Sequence, residues 1–197
     1  MQIALTYNVK KDYLPVGFED STIDEFYSEC DSIETIHALR DALATRHEVT
    51  LIEADEDAYE KFKTARPSFV FNFAEGLWGA SRESQIPAML EMLRIPYTGS
   101  DALSLAICLD KFRTKEVLGF HGIATPRSFV VRGQFTGMPT GFQFPAVVKP
   151  LAEGSSKGVR DTSFVRDMDA LAREVHRVQT TTRGAAIVEE FLPGREF

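Results

Sequence analysis

Cysteine is nearly absent. Cys30 and Cys108 are the only two in 197 residues and form no CxxC pair, which excludes a disulfide framework and a thiolate metal site. Isolated reduced thiols fit a reducing compartment. Positive charge is also short: 22 Lys and Arg stand against 29 Asp and Glu, for a net charge of −7. Phosphate backbones recruit basic surfaces, so nucleic acid is not expected as the main partner; a local basic pocket stays open. No apolar run approaches the roughly 20 residues of a membrane span. The opening Met1-Gln2-Ile3-Ala4-Leu5-Thr6 lacks the basic flank of a secretion signal. A cytoplasmic protein without a membrane partner is the expectation. Several catalytic patterns are missing too: there is no GxxxxGK[ST], no GxGxxG after the first strand and no GxSxG turn. The four histidines, His37, His47, His121 and His176, are scattered without metal-ligand spacing. Internal repeats and low-complexity tracts are absent.

What is present reads as an ordinary globular chain, 44% hydrophobic and 26% charged, long enough for one large or two small domains. Its first hundred residues alternate strand and helix. Strands are predicted at Ile3–Leu5, Val49–Ile52 and Phe69–Phe71. Asp31 with Glu34 makes a capping box for a helix to about His47, with Ile33, Ile36, Leu39 and Leu43 as its buried stripe. Asp55 caps a shorter helix ending near Ala65. Ser84 caps another, which tolerates Pro87 in its first turn and turns Ile86, Met89, Leu90 and Leu93 inward. Strands joined by helices imply a parallel sheet covered on both faces.

From Tyr97 to Gly119 the pattern is a hinge and two short helices, the second capped by Asp110 and ended by a left-handed Gly119. Beyond Thr125-Pro126 come strands at Ser128–Val131, Ala146–Lys149, Gly158–Asp161 and Ala186–Glu190, with one helix, about Met168–Val178, capped by Asp167. That is an α+β pattern. The Gly-, Pro- and Thr-rich stretch from Arg132 to Phe144 reads as a mobile connection. The fold class is therefore α/β, with a parallel-sheet domain over 1–105 and an α+β subdomain over 106–197.

The chemistry concentrates in the second half. Val147-Val148-Lys149-Pro150 is a strand ending in a lysine, followed by Glu153-Gly154-Ser155-Ser156-Lys157-Gly158-Val159. A buried strand fixes one cation, and a glycine–serine loop offers N–H groups and hydroxyls that can close on an anion. The plain alternatives are a strand-end lysine reaching solvent and an ordinary glycine turn. Lys157 and Arg160 add positive charge beside the loop, or form its solvated tip. Downstream lies Ala186-Ile187-Val188-Glu189-Glu190-Phe191-Leu192, then Pro193-Gly194-Arg195-Glu196-Phe197. Neighbouring glutamates on a strand face opposite ways, so only one can point at a bound nucleotide; Glu189 is preferred, and a charged strand exit is the alternative. Phe191 and Leu192 read by themselves as core. Upstream, Lys111 follows Asp110 at a helix start, with Thr114-Lys115 after it.

This ordered set, Lys111, strand–Lys149–Pro150, Gly-Ser-Ser loop, Val-Glu-Glu-Phe and Gly-Arg-Glu, resembles the ATP-grasp superfamily, and within it the D-alanine–D-alanine ligase branch of carboxylate–amine ligases. The resemblance implies a pre-ATP-grasp substrate domain followed by an incomplete ATP-grasp domain, with ATP and Mg2+ as cofactors and the magnesium ligands beyond Phe197. It implies that Lys111 and Lys149 contact phosphates. Gly154, Ser155, Ser156, Lys157 and Gly158 would form the lid over the phosphates and the reacting carboxyl group, the two serines as its catalytic hydroxyls. Backbone at Glu189 and Glu190 would meet the adenine edge, Phe191 and Leu192 would pack round the ring, and Glu196 would bind the ribose hydroxyls. It further implies an ATP-dependent ligase working through an acyl phosphate on a small amino-acid-like substrate, with a homodimer through the N-terminal domain. The alternative is a non-catalytic nucleotide- or substrate-binding fragment of such an enzyme, and this chain alone is expected to be inactive. Two departures put the substrate in doubt. The family's Gly-Gly-x-Ser-x-Glu segment is replaced by Thr6-Tyr7-Asn8-Val9-Lys10 and an insertion from Gly17 to Cys30. Its His-Gly…Gly-Glu-Asp-Gly segment is replaced by Asn72 to Gly79, with Ser81-Arg82-Glu83-Ser84 behind it. Glu75, Arg82 and Glu83 remain as substrate-facing candidates. Arg82 could grip a substrate carboxylate in bidentate fashion; a salt bridge to Glu83 or Glu91 is the plainer reading.

Overall fold

Three β-rich apolar segments of the first half lie side by side as parallel strands. They are β1 (Gln2–Tyr7), β2 (Glu48–Glu53) and β3 (Phe69–Phe73), in the order β2-β1-β3, with Ile3 opposite both Val49 and Phe69. A computed structural model describes residues 1–15 and 23–195 of the chain and divides it into two units, Met1–Ala106 and Ile107–Phe197.

In the first unit the helices are α1 (Ile23–Phe26), α2 (Ile33–Ala44), α3 (Ala58–Ala65), α4 (Gln85–Leu93) and α5 (Ala102–Leu109), the last running across the division. Ala4, Ile52, Phe62, Val70, Ile86, Leu90 and Ile95 build the core. Full burial of a side chain such as Phe62 stabilises by about 1.5–3 kcal/mol, so these few positions hold the sheet and the helices together.

Local differences from the sequence reading have local causes. Ser32, not Asp31, caps α2 by accepting from the Thr35 N–H. The backbone of Asp31 is engaged elsewhere, pairing with Asn8 and Lys10 beside β1. Only Ile36 of the expected α2 stripe is fully buried, and Ile33 is exposed. Asp55 accepts from the Asp57 N–H in the turn before α3, which starts two residues later than a cap at Asp55 requires. A 3-10 turn, Arg82–Ser84, precedes α4, and the Ser84 hydroxyl donates to the Ser81 carbonyl instead of capping.

In the second unit α6 (Lys111–Phe120) begins as expected, Asp110 accepting from the N–H groups of Phe112 and Arg113. It runs through Gly119, and the left-handed residue beyond it is Gly122, at φ 73°. The sheet is antiparallel in the order β4-β7-β5-β6. Its strands are β4 (Ser128–Val131), β5 (Ala146–Pro150), β6 (Phe164–Val165) and β7 (Ala186–Glu190). Helix α7 (Met168–Thr182), capped by Asp167 at the Ala170 N–H, buries Leu171, Val175 and Val178 against it. The strand expected at Gly158–Asp161 is a loop and a 3-10 turn, because Gly158 takes φ 75° and the Ser163 hydroxyl accepts from the Arg160 N–H. The Arg132–Phe144 connection is irregular but covered: Phe142 is buried, and Phe135, Met138 and Phe144 pack on the core. Among the described residues no helix is long and apolar enough to cross a membrane.

Candidate functional site

Antiparallel pairing of the central strands β5 and β7 places Val147 opposite Glu189 and Lys149 opposite Ile187. Lys149 and Glu189 therefore share one face as diagonal neighbours, and Lys149 Nζ lies 2.9 Å from Glu189 Oε2. A second cation closes on the same carboxylate. Lys115, one helical turn beyond Lys111 on α6, puts its Nζ 2.6 Å from Glu189 Oε1. Burial pushes the Glu189 carboxyl up, but hydrogen bonds and charge from Lys115 and Lys149 outweigh it and hold the group below its ordinary range. The two lysines differ in freedom: the Lys115 side chain is 12% exposed, that of Lys149 34%. The group carries one net positive charge on a mostly buried surface.

The loop after β5 follows directly. Ser155 and Ser156 both take left-handed backbone, at φ 45° and 57°, and both are exposed. Non-glycine residues held there cost energy and cluster at ligand-clasping loops. Lys111 Nζ donates to the Glu153 carbonyl at the start of the loop, and Lys157 forms an ion pair with the Glu153 carboxylate at 3.2 Å. The far end is tied to α7. Arg177 donates to the Gly158 carbonyl at 2.7 Å and forks onto Glu174, which is buried and also accepts from Ser163. Burial raises the Glu174 carboxyl while Arg177 and Ser163 lower it, and the net direction is down. Gly154 is half-buried and Gly158 buried in this arrangement.

Glu190 sits on the other face, opposite Ala146, and pairs with Arg127 at 3.5 Å. Phe191 and Leu192, which read by themselves as core, are 42% and 62% exposed. The Phe191 ring meets Phe164 edge-on at 4.8 Å, leaving an apolar surface next to Glu189. Glu196 lies outside the described residues.

In the first unit Asn8, buried at the end of β1, accepts from the Gly76 N–H and donates to the Ala54 carbonyl. This positions the segment that carries Glu75. Arg82 is 4% exposed, and its Nη2 lies 2.7 Å from Glu29 and 3.7 Å from Glu83. Of the salt bridges weighed for Arg82, the one to Glu83 is present but secondary. Glu91 instead accepts from the Tyr97 hydroxyl and the Ala102 N–H. Carboxylate oxygens of Glu29, Glu75 and Glu83 all lie within 4.8 Å of one another. Burial first, then Glu83 and Glu29, raise the Glu75 carboxyl. Three acids against one guanidinium leave an excess of negative charge. Glu29 and Lys115 were not singled out from sequence. The four-residue spacing of Lys111 and Lys115 on one helix was a signal for the second; nothing local marked the first.

Among the described residues this acidic trio is the one group of three or more His, Cys, Asp or Glu side chains close enough to share an ion. No such group of three surrounds Lys149 among the described residues.

No protein-family profile matches the chain. A D-alanine–D-alanine ligase of Aquifex aeolicus is 34% identical over 168 residues, 84% of this chain and 55% of its own length. An uncharacterized protein, y4sG, of Sinorhizobium fredii is 35% identical over 158 residues, 76% of this chain and 46% of its own. The chain thus spans about half the length of the curated relatives it matches. Among solved structures, the D-alanine–D-alanine ligase of Bacillus anthracis complexed with ATP superposes on 98% of this chain and 60% of its own with a TM-score of 0.64, at 24% identity. A two-unit α/β architecture with one parallel and one antiparallel sheet is what that shared fold requires. Over the part it covers, the chain is a homologue of D-alanine–D-alanine ligases and shares their fold.

Proposed function

We propose that residues 106–197 cradle ATP and residues 1–105 face the substrate in a cytoplasmic ATP-dependent carboxylate–amine ligase. The observation that carries this reading is the Lys115–Glu189–Lys149 group on the face of the central strands, followed by a loop with two left-handed serines. In the reaction, a carboxylate oxygen of a small amino-acid-like substrate attacks the γ-phosphorus and ADP leaves. An amine then attacks the acyl carbon, phosphate departs, and the amine loses a proton. Such chemistry asks the protein for positioning and charge neutralisation above all. Lys149 and Lys111 supply cations for the phosphates. Ser155 and Ser156, with Gly154, Lys157 and Gly158, close over the transferring group. Phe191 and Leu192 offer an apolar surface to the base, and the backbone at Glu189 and Glu190 meets its edge, with Glu196 on the ribose. The negative excess at Glu29, Glu75 and Glu83 suits the ammonium group of an amino-acid-like substrate, with Arg82 as the internal counter-charge.

Calorimetric titration with Mg-ATP tests the nucleotide half of this reading. Saturable binding that is lost in Lys149→Met is expected, and wild-type affinity in that variant refutes it. ADP release that depends on paired amino acids tests the ligase half. A binding fragment without turnover is the second reading, favoured because the one group of three potential metal-ligating side chains among the described residues lies at Glu29, Glu75 and Glu83 rather than at Lys149; binding without ADP release decides for it. Sedimentation of the wild-type chain tests the homodimer that the family resemblance implies.

A further inference from the structure

We infer that Lys115 is a positioning residue that makes Lys149 exchangeable: it retains the Glu189 carboxylate so that Lys149 can leave it for a phosphate group. The inference rests on the nucleotide reading above and deepens it. Glu189 is a buried carboxylate shared by two ammonium groups, one on each oxygen. A buried carboxylate stripped of all partners is strongly unfavourable. Were Lys149 its sole counter-ion, every phosphate that engaged Lys149 would have to overcome that cost. Lys115 removes the conflict. It is the closer and the more buried of the two lysines, and it projects from a helix anchored by Asp110 and by the Lys111 N–H on the Leu151 carbonyl. Lys149, a third exposed at the loop side of β5, is the cation free to turn. Lys115 therefore keeps Glu189 neutralised in both arrangements without touching the nucleotide.

The test joins nucleotide binding to a readout that needs no nucleotide. Lys115→Met leaves Lys149 as the sole ammonium on Glu189. A charge-assisted bond then opposes every phosphate contact, and Mg-ATP affinity is expected to fall about tenfold. Competitive acylation of lysines, read by mass spectrometry, should show Lys149 labelled about threefold more slowly, because its amine is then held on Glu189 by an unshared charge-assisted bond. Glu189→Gln placed in the Lys115→Met background removes the competing carboxylate and should restore both. Lys115→Arg keeps the ion pair and should behave as wild type. Wild-type labelling of Lys149 in Lys115→Met, or a double variant as impaired as the single one, overturns the inference; loss through misfolding alone would not be rescued by Glu189→Gln. A wild-type chain that fails to bind Mg-ATP refutes the proposed function instead. Labelling then decides the exchange alone: slowed and rescued Lys149 supports it, unchanged Lys149 overturns it.

Discussion

Replacing Arg82 by methionine removes the one guanidinium among three carboxylates. Arg82 and Glu29 are nearly solvent-free, their side chains 5% and 7% exposed, and they lie 2.7 Å apart. Removing one partner of a buried pair costs about 3–5 kcal/mol, because the other charge is left without compensation. Repulsion points the same way. Two full charges 4.8 Å apart interact by about 3 kcal/mol at an effective dielectric constant near 20, and Glu29 and Glu83 come within that distance. Protonation of one carboxyl caps the sum, so a loss of about 3 kcal/mol is expected, a large part of the 5–15 kcal/mol typical of a domain. Trp78 is the only tryptophan and packs on Phe26 in the same unit at 5.3 Å, so its fluorescence follows this unit through a urea titration. With a urea slope of about 1.5 kcal/mol/M, the midpoint should fall by about 2 M. The double variant Arg82→Met/Glu29→Gln should recover more than half. A midpoint that moves by less than about 0.5 M, or a double variant no more stable than the single one, would show that this group is not a buried, charge-compensated unit.

Four further outcomes follow from the same geometry. Glu75→Gln should stabilise slightly at neutral pH, by a few tenths of a kcal/mol given how open the residue is to water. Its folded carboxyl is raised, so charging it opposes folding as pH climbs above the ordinary 4.5, and the variant's stability should flatten across that window in thermal melts. Glu189 has the opposite sign. Its carboxyl is lowered in the folded chain, so its contribution is present above 4.5 and is lost as pH falls below it; Glu189→Gln should show a shallower acid-unfolding curve there. Gly76→Ala should destabilise the first unit by about 2 kcal/mol, since Gly76 holds φ 74° and a Cβ would sit 2.5 Å from the Arg82 carbonyl oxygen; an unchanged melting temperature would contradict the close approach. Glu174→Gln should weaken the tie between α7 and the Gly158 end of the loop, by about 2–3 kcal/mol, read as faster amide exchange at 158–163 and no change at β1.

Contacts within a few residues were legible along the chain. Apolar runs marked the strands, and Asp110 and Asp167 marked two helix starts, because a cap is an i to i+3 contact whose partners are neighbours in sequence. The Gly-Ser-Ser loop after a strand-end lysine was legible for the same reason. Ser32 caps in place of Asp31, whose backbone is held by Asn8 and Lys10 in the segment after β1. The Gly158–Asp161 strand gave way to a 3-10 turn whose Ser163 belongs to a buried network with Glu174. Phe191 and Leu192 look like core by residue type, yet they stand beyond the last sheet pair, where nothing among the described residues covers them fully.

By itself, the order of residues determined the two-part α/β plan, most of the elements and the cation at the end of β5, since hydrophobic periodicity and backbone preference act locally. Only the tertiary structure decided which charges meet. Lys149 finds Glu189 across 40 residues and Arg82 finds Glu29 across 53, while Lys115 joins the first of these pairs from a separate helix. Ion pairs of this kind form where the fold withdraws both partners from water, and strand register and helix placement, which set that withdrawal, are properties of the packed chain as a whole.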